Sequence, residues 1–125
     1  MPTDLPSTLL LLARILFGGA FVFFGLRNFR NFQKLRPSMA TKGLPMPDLA
    51  LTFGLLLQTL SGALVLFGLW TPFGAAGIIL FLILATFLYH PFWAFSGDER
   101  GPHVGFFVTN CALSGGALAL MAATL

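Results

Sequence analysis

Four apolar runs, Leu9–Phe24, Leu49–Trp70, Phe73–Tyr89 and Val104–Leu125, fill nearly the whole chain. A hydrocarbon core about 30 Å thick is crossed by about 20 residues of helix, at a rise of about 1.5 Å each. The first and third runs are slightly short as counted, and apolar flanks extend them: Leu5 before the first, Pro91–Phe95 after the third. The pattern predicts an integral membrane protein with spans at about 8–26, 48–70, 73–92 and 104–124.

Composition enters as a check on that solvent. Hydrophobic residues make up 57% of the chain and charged residues 9%, where a soluble domain carries about 25% charged. Little is left for an aqueous domain, so residues 1–125 read as one all-α unit, a transmembrane four-helix bundle. No removable targeting peptide is expected. Asp4 precedes the first run without any Lys or Arg, and Arg14 interrupts the would-be apolar stretch of a leader.

The net charge of +3 is local. Arg27, Arg30, Lys34, Arg36 and Lys42 all fall between the first and second spans, opposed only by Asp48. The positive-inside tendency then places the 25–48 loop in the cytoplasm of a bacterial or archaeal cell and both termini outside. Leu26, Phe29, Phe32 and Leu35 recur every three residues among those cations. That spacing predicts a short amphipathic helix over 27–42 lying at the membrane surface. It either anchors the bundle on anionic lipid or docks an acidic partner protein through Arg27, Arg30, Lys34 and Arg36. Nucleic acid is not an expected partner, since no soluble domain accompanies the patch. Pro45 and Pro47 end this segment, and Asp48 is placed to cap the next helix.

Lipid offers no hydrophobic drive between spans, so packing has to come from close backbone approach. Small residues are supplied at Gly18–Ala20, Gly54, Ser61–Ala63, Gly74–Gly77 and Ser114–Ala117. The Trp70–Pro72 turn makes the second and third spans antiparallel neighbours. Few polar residues lie inside the spans: Arg14, Gln58 and Asn110. An intramembrane Arg costs at least about 2.5 kcal/mol on insertion scales, so it has to be paired, hydrated or snorkelling. Arg14 therefore snorkels to the headgroups, staples two helices by meeting Gln58, or contacts a ligand with Gln58 and Asn110.

His90 and His103 sit at adjacent ends of the third and fourth spans. They are candidates for haem or metal ligation, but the flanking Pro91 and Pro102 favour a different role. There Tyr89, His90 and Trp93 form an interfacial aromatic belt, with His90 bonded to a loop carbonyl. Cys111 is the sole cysteine, which removes a thiol–disulfide relay because that chemistry needs a pair. With no nucleotide loop and no metal-ligand cluster in the sequence, no catalytic residue is expected.

Several segments nevertheless resemble a known family. They are Ala13-Arg14-Ile15-Leu16 leading to Phe23-Phe24-Gly25-Leu26-Arg27-Asn28, then Gly43-Leu44-Pro45 and Leu66-Phe67-Gly68-Leu69-Trp70-Thr71. The most specific is Ala85-Thr86-Phe87-Leu88-Tyr89-His90-Pro91-Phe92-Trp93, followed by Asn110-Cys111-Ala112-Leu113 with Gly115-Gly116. From Leu9 to Leu120 the chain resembles the DoxX family of small four-helix membrane proteins. It departs from the pattern in holding Gln58 where similar proteins often have Glu, and Thr109 where they often have Lys.

The family name comes from a subunit of a thiosulfate:quinone oxidoreductase. The resemblance therefore implies a non-catalytic membrane subunit that anchors or completes a larger quinone-linked redox complex, with membrane lipid and other protein subunits as partners. A bound quinone or lipid is compatible with that role. The alternative is a homo-oligomeric membrane protein handling a small solute or quinone.

Overall fold

In the computed structural model, which describes residues 4–125, each long helix begins ahead of its apolar run, and α1 also runs past its end. α1 spans Leu5–Arg30, α2 Phe32–Ala40, α3 Pro47–Phe67, α4 Thr71–Tyr89 and α5 Arg100–Thr124. Two 3-10 turns, Phe92–Ala94 and Gly97–Glu99, join α4 to α5, and no strand occurs among the described residues. α1, α3, α4 and α5 are each long and apolar enough to cross a membrane. This is the form a chain takes when its backbone groups have no water to bond.

The basic segment differs from the single surface helix expected over 27–42. α1 continues through the charges to Arg30, so Arg27 and Arg30 ride on its last turn. The chain breaks at Asn31, whose N–H bonds back to the carbonyls of Arg27 and Asn28. Only then does α2 begin. Pro37 lies inside α2 and removes one of its backbone bonds, so packing has to hold the helix down. Met39 does this, with 4% of its surface exposed.

At the other end, Gly68 adopts a left-handed φ of 70° and closes α3. Leu69 N–H reaches the Leu64 carbonyl at 2.9 Å, the bond pattern of a glycine-terminated helix. Trp70 follows, also left-handed at φ 47°, and Pro72 lies in the first turn of α4. This short turn folds α4 back along α3.

Close approach between helices is built from glycine. A Cβ added to Gly18 of α1 would lie 2.5 Å from the Leu66 backbone nitrogen of α3. One added to Gly62 would lie 3.0 Å from the Gly18 carbonyl. The two backbones thus touch through reciprocal glycines, and α1 packs more extensively on α3 than any other helix pair does. Gly74 does the same for α4, where an added Cβ would meet the Ser61 carbonyl at 2.9 Å. α5 is held more loosely: Ala117 and Leu120 are its buried residues.

Two apolar clusters result. One, around Phe21, Val65, Ile78 and Ala117, fills the bundle towards the α3–α4 turn. The other, Met39, Leu51 and Leu55, sits beneath α2.

Candidate functional site

The second cluster does not fill the space it encloses. α2 packs on α3, its Met39 reaches Tyr89 at the end of α4, and a cavity of about 500 Å³ opens beneath it. Leu35 and Met39 of α2, Leu51, Gly54 and Leu55 of α3, and Leu88 of α4 give it apolar walls. Its polar groups are Asn28, Tyr89 and His90, which belong to the ends of α1 and α4 at the basic end of the molecule. The Tyr89 hydroxyl faces the Met39 sulfur at 4.0 Å, and the Lys42 ammonium lies 4.6 Å above the Tyr89 ring. A thioether is a weak acceptor, so this hydroxyl keeps its donor largely unspent.

The three intramembrane polar residues do not form one set. Gln58 is 5% exposed, and its Oε1 accepts a bond from Asn28 Nδ2 at 3.4 Å. Asn110 of α5 donates through Nδ2 to Thr86 Oγ1 of α4 at 2.9 Å. Arg14 meets neither. Its Nε donates to the Val65 backbone carbonyl at 3.3 Å, and its guanidinium packs against Gly68 at the close of α3. The Val65 carbonyl already accepts the Gly68 N–H at 3.2 Å, and Arg14 adds a second bond at the end of α3, which carries the negative end of the helix dipole. Arg14 thus caps α3 from a neighbouring helix, level with the α3–α4 turn. It bridges α1 and α3 through a backbone partner and does not meet Gln58, contrary to the staple expected from the sequence.

His90 bonds His103 and not a loop carbonyl: their Nδ1 atoms lie 3.2 Å apart, one donating and the other accepting. Phe106 stacks on His90 with centroids 4.4 Å apart, and Phe95 on His103 at 4.0 Å. These two stacked pairs, joined by the His90–His103 bond, tie the end of α4 to the start of α5. No cluster of three or more metal-ligating side chains occurs among the described residues. Trp93 is exposed and packs edge-on against Phe87 and Phe92, whereas Tyr89 turns inward to line the cavity.

The basic residues separate into two groups. Arg36 is engaged by both oxygens of Asp48, at 2.9 and 2.7 Å. Asp48 is therefore not the helix cap expected of it, since Met46 holds that position in α3. An exposed pair of this kind contributes about 0–1 kcal/mol. Arg27, Arg30 and Lys34 are exposed and have no ion pair among the described residues.

Sequence reasoning missed Asn28 as the partner of Gln58, Val65 as the partner of Arg14, and Gly54 as a cavity wall. Gly54 carried a signal, being an isolated glycine inside an apolar helix. A backbone carbonyl such as that of Val65 carries none.

The family model described as DoxX matches residues 9–91 of the chain. The inner membrane protein YphA of Escherichia coli (strain K12) is 30% identical over 112 residues, which is 90% of this chain and 80% of that protein. No solved structure matches at a significant level.

Proposed function

The chain belongs to the DoxX family of membrane proteins, and from that premise we propose that it is a non-catalytic subunit completing a larger membrane complex, quinone-linked and redox-active. The observation that carries this reading is the division of the basic end. Arg36 is neutralised by Asp48, while Arg27, Arg30 and Lys34 stay exposed with no acidic group against them. Such a patch suits an acidic partner or anionic lipid at the membrane surface. α2 and the exposed Trp93 then lie at headgroup level, with the basic end in the cytoplasm. The outer face of α5 offers a second contact surface within the membrane. A Cβ added at Gly101, Gly105 or Gly115 would meet nothing within 4 Å, which leaves room for a further transmembrane helix to approach.

Purification in mild detergent followed by mass spectrometry tests the proposal. Stoichiometric foreign subunits are expected with the wild-type chain, and their loss when Arg27, Arg30 and Lys34 are all replaced by Gln. Recovery of this chain with copies of itself alone would reject the subunit reading. It would favour the homo-oligomer, for which the open face of α5 is equally suited.

A further inference from the structure

We infer that the cavity beneath α2 binds one single-tailed amphiphile, which enters sideways from the bilayer and sets a hydrogen-bond-accepting head against Tyr89. The inference deepens the membrane reading above by naming what the chain itself holds, and it does not depend on which partner subunits are present.

Size comes first. About 500 Å³ lies within the ~300–1,000 Å³ of small-molecule sites. It accommodates one ring or part of one chain, not the paired chains of a diacyl lipid. Access comes second. Phe53 and Leu84 line the cavity and are also 56% and 38% exposed, so it opens laterally, on the flank where lipid would lie. A ligand therefore need not cross water to reach it.

Polarity comes third. The walls are apolar, and the polar lining belongs to Asn28, Tyr89 and His90 at the basic end. That gradient matches a molecule with an apolar body and a polar head. The Tyr89 hydroxyl has only the Met39 sulfur, at 4.0 Å, and so retains a donor for a carbonyl or ester oxygen. Asn28 uses one amide hydrogen on Gln58 and keeps its other polar sites.

Gly54 gives the fourth argument. A glycine inside a helix is less favourable than alanine, and Gly54 is one of the cavity's lining residues. Gly62, on the same helix, would collide with α1. An added Cβ at Gly54 would meet nothing within 4 Å. A larger side chain at Gly54 would therefore project into the open space of the cavity.

The test uses the purified, lipid-stripped chain in detergent, titrated with decylubiquinone or with monoolein and read by native mass spectrometry. Both probes join one tail to carbonyl acceptors, and the one that saturates identifies the source of the ligand. One adduct per chain is expected for at least one of them. Gly54→Leu should abolish it, while thermal unfolding without probe shows the variant still folded. Tyr89→Phe should weaken it about tenfold, the loss of one hydrogen bond. It carries the test alone should Gly54→Leu not fold. The inference is overturned if neither probe forms an adduct, or if both variants bind as the wild type does. Equal affinity for dioleoylphosphatidylglycerol would also overturn it, because the site would then be an ordinary lipid groove.

Discussion

Gly54 and Gly62 lie about two turns apart on α3 and have opposite surroundings. Around Gly62 the backbone of α1 is in contact: an added Cβ would sit 2.9 Å from Phe21 Cβ and 3.0 Å from Val22 N. Around Gly54 there is open space. One helix thus presents a closed seam at one end and an open chamber at the other. The difference teaches that small residues in a membrane helix have two separate uses. One brings helices together, and the other keeps them from filling a space between them.

The largest effect should come from closing the seam further. Gly62→Ala forces α1 and α3 apart along a contact that has no flexible side-chain end to yield. Its cost should fall near the top of the ~1–3 kcal/mol typical of overpacking, read as a lower unfolding midpoint in detergent. Arg14→Leu is next. It removes the bond to Val65 and the positive charge at the close of α3, together worth about 1 kcal/mol. The same unfolding measurement should show it, and Arg14→Lys should recover part of the loss by keeping the charge. Gly54→Ala has the opposite sign and the smallest size. With no clash to pay for, it should stabilise α3 by about 0.5–1 kcal/mol. A destabilising Gly54→Ala would break the contrast, because it would mean that the open region also depends on close contact.

The seams were readable in the chain because their signal is local. Gly18, Ser61, Gly62 and Gly74 stand out in otherwise bulky apolar runs and fall at helix–helix contacts, whereas Gly54 and Gly115, read the same way from the sequence, face open space. The polar partnerships were not readable in the same way. Arg14 could have met Gln58 or shared a ligand with Gln58 and Asn110, yet each turns to a different neighbour. Which polar groups meet depends on how each helix is rotated about its own axis, and residue spacing along one helix cannot report the rotation of the next. The histidines show the same limit. Their placement at adjacent helix ends was visible, whereas their direct bond depends on how the turns after Pro91 fold.

By itself, the order of amino acids determined the solvent, the number of long helices and the sharp return between α3 and α4. Each follows from run length, composition, or the short Trp70–Pro72 turn. Only the tertiary structure decided that α2 packs on α3 and leaves a chamber beside the end of α4, that Arg14 closes a helix other than its own, and that Arg36 is spent on Asp48. Those outcomes join groups far apart along the chain, so they came into being only when the helices took their places beside one another.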